Sequence, residues 1–272
     1  MIVNARMYSV SPAAGDAWRQ LLLGVARKAG LAVESVEHPP PAPISALWAR
    51  ADMAAVFMCG LPYSRSQRGL DILAAPVPSP PRFAGEAQYW SEFVVRADSS
   101  YQTLADTFGH RLALTTPEAQ SGYAAPLHHL MPWAGRKPLF RALIEPQITP
   151  VGAITAVIDG AADVAPLDSY AFCLLQRFRP DLTDQVRIVD RTPSRPIPPL
   201  VASNSDGDRM WPVLLAVDED PEFALLLSEL QLTGFVRPDP SSYDLLWEEY
   251  NITTDFWRRH PIAADTHFAF DV

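Results

Sequence analysis

Residues 91–126 read SEFVVRADSSYQTLADTFGHRLALTTPEAQSGYAAP. The stretch opens on a β-prone run at 92–95, crosses a polar turn, and returns as a second apolar run at 111–115. A helix follows from about Ser121. Short β-branched and aliphatic runs bounded by Asp, Ser and Gly are strand signals, and strands that alternate with helices build α/β folds. Where a strand passes into a helix, the first helical amides have no acceptor within the helix. The segment 115–123, TTPEAQSGY, has this character, with Ser121 as the expected N-cap and Gly122 as a point of close backbone approach. An oxyanion placed there receives amide hydrogen bonds and the attraction of the helix dipole.

The same alternation extends outward in both directions. Downstream the pattern predicts a helix at 153–158, a strand at 162–166, a helix at 169–178 and a strand at 186–189. Upstream it predicts strands at 2–10, 31–36 and 54–59, with a helix at 15–29 after the first of them and a proline-rich loop at 39–43. From 208 onward three helices follow, at 211–217, 223–230 and 243–256. The chain changes lobe at 84–95 and again at 194–199, where SRPIPPL interrupts the pattern. The expected division is therefore 1–88 plus 197–272 as one lobe and 89–196 as the other, with the tail packing back on the first.

Composition narrows the function classes. The 272 residues are 48% hydrophobic and 19% charged, enough apolar material for buried cores. A net charge of −9 argues against a nucleic-acid partner, which needs clustered Lys and Arg. An anionic ligand would have to be held locally, by amides and helix starts. No stretch approaches the roughly 20 apolar residues of a membrane span. The first residues, MIVNARMYSVSP, lack the basic region, apolar core and cleavage site of a secretory signal, so either a signal has been removed or the protein stays in the cytosol. Cys59 and Cys173 lack metal-ligand spacing and are expected as buried free thiols, with a disulfide between them left open. His128 and His129 are adjacent and so diverge on a helix, which fails a two-His metal site. No metal and no cofactor is implied.

The motifs also carry a resemblance. Leu104, Asp106 and Gly109, then Ser121, Gly122, Tyr123 and Pro126, resemble the phosphonate-type solute-binding proteins of ABC importers, in which Leu-x-Asp-x-x-Gly leads through a strand to Ser-Gly-Tyr-x-x-Pro. AITAVIDGAADVAPLDSY at 153–170 is similar to that family's helix, Gly-x-x-Asp strand start and Asp-Ser strand end, and ADMAAVFMCGLPYSR at 51–65 to its Leu-Pro-Tyr loop. GFVRPDPSSYDLL in the tail also looks familial. The resemblance implies an α/β type 2 periplasmic-binding-protein fold: two α/β lobes joined by two crossover strands, with a ligand cleft between them.

It also implies site residues. Ser121, Gly122 and Tyr123, with Gln120 beside them, would hold an acidic head group. Asp168 would face the cleft and meet a cationic or donor group of the ligand, and Tyr63 with Cys59 and Gly60 would close from the first lobe. Tyr89 and Trp90, next to the first crossover, either stack on a flat ligand or pack the hinge. Thr149 joins the ligand-binding set, ahead of Pro150, which stands where the family commonly has a His. Ala119 and Gln120 replace the Ser and Thr that precede Ser-Gly in phosphonate binders, so two hydroxyls are missing and phosphate esters, carboxylates or nucleotide precursors enter the range of ligands.

The function implied is binding without turnover, by a periplasmic monomer that delivers a small anionic or zwitterionic solute to an ABC permease and ATPase. The absent signal leaves the cytoplasm open. The alternative is a cytosolic enzyme on the same fold, of the dehydratase or pyrimidine-precursor synthase type, for which Asp168, Tyr63 and Cys59 are the candidate acid–base groups. A sensor or regulatory ligand-binding module is a third reading.

Overall fold

Ser11 shows how local chemistry starts the first helix. Its side chain accepts a hydrogen bond from the Ala14 amide at 3.1 Å, and Pro12 occupies the first helical position, where its missing N–H costs nothing. The helix Pro12–Lys28 then buries Ala14, Ala17, Trp18, Leu21, Leu22, Val25 and Ala26, a stripe at helical spacing. Trp18 meets Phe57 edge-on at 4.9 Å between ring centroids, and Tyr8 meets the same ring at 5.0 Å. The chain, seen in a computed structural model, is described over residues 1–66, 69–203 and 206–264.

In chain order the strands are β1 (Ile2–Asn4), β2 (Glu34–Ser35), β3 (Met53–Phe57), β4 (Asp71–Pro78), β5 (Gln88–Tyr89), β6 (Ser91–Arg96), β7 (Arg111–Thr115), β8 (Ala142–Gln147), β9 (Ala165–Asp168), β10 (Val186–Arg191), β11 (Arg195–Pro196), β12 (Leu200–Ala202) and β13 (Leu232–Val236). They fall into two compact units. The first comprises Met1–Tyr89 and Arg195–Asp244, the second Trp90–Ser194 and the chain from Leu245 onward.

The first unit holds a mixed sheet in the order β13-β4-β12-β3-β1-β2. β1 runs parallel to β2 and β3, whereas β12 is antiparallel to β3 and β4, and β13 to β4. β3 is buried at all five positions, as befits a central strand with both faces covered. β4 escapes a reading by pattern because Pro76 and Pro78 interrupt it. β12 pairs with β4 only as far as Ala74, so both prolines lie where β13 alone bonds the strand and a missing N–H is tolerated. Gly234, at φ +156°, similarly disguises β13. Cys59 and Cys173 are both buried thiols, not joined in a disulfide.

In the second unit β10, β6 and β9 pair antiparallel, β7 and β8 pair parallel, and a bridge between Leu112 and Val164 sets β7 beside β9. Strand alternation separates two cores. Phe93, Val95, Leu112 and Leu114 pack with Tyr123, Leu127, Leu130 and Trp257, while Val94, Ala113, Ala165 and Leu167 pack with Ile154, Val157 and Phe172.

Four sequence expectations shift. The strand expected at 2–10 shortens to β1, the one at 162–166 is β9, Ala165–Asp168, and the one at 31–36 shrinks to β2. The last helix, Asp244–Trp257, does not pack back on the first unit from Leu245 onward. The Trp257 indole N–H donates to the Leu127 carbonyl at 2.9 Å and its ring joins the second unit's core. The chain therefore passes between units three times, after Tyr89, after Ser194 and after Asp244.

Candidate functional site

β7 ends at Thr115, and the chain turns with the Ala119 amide donating to the Thr116 carbonyl at 2.9 Å. A π-helical turn, Gln120–Ala124, follows and runs directly into the helix Ala125–Leu130. Ser121 is not the N-cap. That position falls to Ala119, in an extended conformation and with no side chain to cap the amides, because the turn at 116–119 uses up the preceding residues. In a π turn each amide bonds five residues back, and the Ala124 amide reaches the Ala119 carbonyl at 3.1 Å. The Ser121 and Gly122 amides come before that bond, so the helix supplies them no acceptor.

Gly122 does need to be glycine, for a reason the sequence did not disclose. A Cβ there would lie 1.9 Å from Thr115 Oγ1 and 2.6 Å from Thr115 Cγ2. The close approach is of strand to helix, within the protein. Thr115 is 9% exposed and its hydroxyl has no hydrogen-bond partner. Gln120 is buried, Ser121 half-buried, and the Tyr123 ring packs in the apolar cluster with Leu127, its hydroxyl pushed up in pKa by burial and by Tyr250.

Asp168 ends β9 as the N-cap of the helix Ser169–Phe178, where Oδ1 accepts from the Tyr170 and Ala171 amides, each at 2.8 Å. Through these two bonds the carboxylate positions the helix. Thr149 is likewise an N-cap, accepting from the Gly152 amide at 3.0 Å at the start of Pro150–Ile158. Tyr89 and Trp90 are 1% and 5% exposed, which favours packing over stacking on a ligand. The Trp90 indole N–H donates to Glu92 Oε1 at 3.1 Å, and the Arg191 guanidinium lies over its ring. The Trp90 amide donates to Ser169 Oγ at 3.1 Å, and the Ser91 amide to Thr192 Oγ1 at 2.9 Å. His128 and His129 diverge, to Thr253 and to Asp190, each at 3.0 Å.

In the first unit β3 leads into the short helix Gly60–Arg65, with Cys59 at its cap position and no side-chain cap bond. The Tyr63 ring meets Tyr243 edge-on at 5.4 Å, and its hydroxyl is pushed up by burial and then by Asp71 and Asp244. A cavity of about 300 Å³ lies here, lined by Tyr63, Ser66, Leu70, Ser241 and Asp244 among others. The site residues thus fall into two groups, Gln120–Tyr123 with Asp168 in one unit and Cys59, Gly60 and Tyr63 in the other. Thr115, which closes on Gly122, was missed by sequence reasoning because a strand-end hydroxyl looks like any other.

The family model described as "ABC transporter, phosphonate, periplasmic substrate-binding protein" matches residues 17–243. No curated protein matches the chain. Among solved structures, PhnD1 from Prochlorococcus marinus in complex with methylphosphonate shares 14% identity at a TM-score of 0.76, over 94% of this chain and 98% of that one. A binding protein component of an ABC phosphonate transporter from Pseudomonas aeruginosa shares 18% at 0.75, over 94% and 87%. A Xanthomonas citri protein bound to ATP shares 21% at 0.62, over 94% and 97%. At these identities the likeness is one of fold, the type 2 periplasmic-binding fold of two α/β lobes.

Proposed function

Because this chain belongs to the ABC-transporter phosphonate periplasmic substrate-binding protein family, we propose that its second unit holds the acidic group of the imported solute at the helix start Gln120–Tyr123. The family's members are substrate-binding components that hand a small molecule to a permease and its ATPase, which sets aside the enzyme alternative. The observation that carries the site is the helix start itself. The amides of Ser121 and Gly122 precede the first helical bond, and no cap side chain covers them. Such amides attract an oxyanion through hydrogen bonds and the helix dipole, without any net positive charge on the protein.

The ligand class is a small anion or zwitterion: a phosphonate, a phosphate ester or a relative of these. Methylphosphonate on the P. marinus protein and ATP on the X. citri protein support a phosphorus oxyanion. The Tyr63 segment of the first unit is the second contact surface in this reading, while Asp168 and Thr149 act by fixing helix starts. The family is periplasmic, and we place this chain there as a monomer with no nucleic-acid partner.

Calorimetry on the purified protein tests the assignment, with methylphosphonate, inorganic phosphate, phosphate esters and carboxylates as probes. Binding of a phosphorus oxyanion, recovered chemically unchanged by mass spectrometry and weakened in Ser121→Pro, which lacks one of the open amides, is the expected outcome. Undiminished affinity in Ser121→Pro, or turnover of the bound compound, would sink it.

A further inference from the structure

Phe140 brings two basic runs together on the second unit. Its amide donates to the Ile262 carbonyl at 2.8 Å and it bridges Ala263 in parallel, so the stretch 136–141, RKPLFR, lies alongside 258–263, RRHPIA. Arg136, Lys137, Arg141, Arg258 and Arg259 are all exposed. The last two have local work at the end of the helix Asp244–Trp257, where Arg258 pairs with Asp255 at 3.2 Å and Arg259 Nε donates to the Asp255 carbonyl at 2.9 Å. Arg136, Lys137 and Arg141 form no ion pair among the described residues. That sets them apart in a chain of net charge −9, whose exposed arginines elsewhere are taken up by neighbouring acids, Arg19 by Asp16, Arg50 by Asp52, Arg96 by Asp98. Trp133 stands beside the first run with 40% of its surface exposed. Its ring meets Phe108 edge-on at 6.0 Å, and Phe108 meets Phe140 at 5.6 Å, so the residue that joins the two basic runs also fixes the indole next to them.

We propose that this corner of the second unit is a docking surface for an anionic lipid bilayer. Charge complementarity carries the choice of partner, together with the tryptophan. Arg and Lys attract anionic headgroups, and an indole rests favourably at headgroup level. A protein with nine net negative charges is repelled by such a surface as a whole. Attachment therefore depends on this cluster facing the lipid, and it weakens as salt shortens the reach of the field. The inference is independent of the helix-start site and of the solute held there. It concerns the face by which a substrate-binding protein is kept close to the bilayer that carries its permease.

Co-sedimentation of the full chain with vesicles tests this, using phosphatidylcholine alone and phosphatidylcholine mixed with phosphatidylglycerol, at low and at physiological salt. The wild type is expected to sediment with the mixed vesicles only, and less so at the higher salt. Each Arg or Lys at such a surface strengthens attachment about fivefold, so Arg136→Gln/Lys137→Gln should bind about twentyfold more weakly or worse. Both side chains are exposed and unpaired, so the melting temperature of this variant should match that of the wild type. The control is Arg19→Gln/Arg177→Gln, which removes the same charge from exposed positions on the helices Pro12–Lys28 and Ser169–Phe178 and should bind the mixed vesicles as the wild type does. Equal losses in the two double variants overturn the inference, because net charge alone would then account for the effect. Wild-type sedimentation with phosphatidylcholine alone, or with neither kind of vesicle, also overturns it, and the second result would turn the search to an acidic protein partner.

Discussion

Gly122→Ala probes the contact on which the candidate site is built. The new Cβ would meet three atoms of one side chain, Thr115 Oγ1 at 1.9 Å, Cγ2 at 2.6 Å and Cβ at 2.8 Å. Thr115 is buried at the end of a paired strand and cannot swing aside, so the helix start must move. Restoring an ordinary separation of about 3.5 Å requires a shift of roughly 1.6 Å. Overpacking of that kind costs up to about 3 kcal/mol. Alanine in a helix gains up to about 1 kcal/mol over glycine, which leaves a net loss of about 2 kcal/mol. For a chain of this size that lowers the melting temperature by about 4–8 °C. Scanning calorimetry reads the shift. Thr115→Ala removes the two closest contacts, so the double variant Thr115→Ala/Gly122→Ala should recover part of the loss beyond additivity. A Gly122→Ala protein as stable as the wild type, or a double variant that simply adds the two single losses, would refute the contact.

Two further outcomes follow from the capping and ion-pair geometry. Asp168→Ala should destabilise the protein by about 1 kcal/mol through loss of the two amide bonds at the start of Ser169–Phe178, while Asp168→Asn retains most of the stability; equal losses in the two, by urea titration, would contradict the N-cap role. Burial alone would push the Asp163 carboxyl up, but the Arg111 guanidinium and backbone amide bonded to it outweigh that and hold its pKa below the usual value. Its stabilisation is thus present at neutral pH and lost as pH falls through the lowered value. Asp163→Asn should be less stable than the wild type by about 1–2 kcal/mol at pH 7, discounted for the partial exposure of both side chains, with the gap closing below about pH 4. A gap that stays constant on acidification would contradict the ion pair.

Continuous apolar runs made β3, β6 and β7 legible, since strands covered on both faces need no alternation. β4 and β13 were hidden by residues that are permitted only by their neighbours, Pro76 and Pro78 beyond the end of β12 and Gly234 at positive φ. Those permissions are tertiary facts, as is the unit on which the helix Asp244–Trp257 packs. Its apolar spacing reads as helix, but nothing local says that Trp257 will reach Leu127. At the site, Ser121 looked like a cap because Ser before Gly so often is one, yet the turn at 116–119 puts Ala119 in that place. Asp168 carried a second signal, since Asp-Ser before an apolar helical run is an N-cap pattern in its own right. The family itself was legible, because weak motifs in the right order along the chain are jointly specific.

The three passages between units have a consequence for how the protein is made. Neither unit is a continuous stretch of sequence, and each waits for residues synthesised late. The first lacks β12 and β13 until well past residue 230, and the second lacks Trp257 and Ile262, whose carbonyl accepts from the Phe140 amide at 2.8 Å. The usual N-terminal-first order, in which a finished domain folds while the next is still on the ribosome, is therefore closed to this chain. Nearly all of it must be out of the exit tunnel before either core can seal.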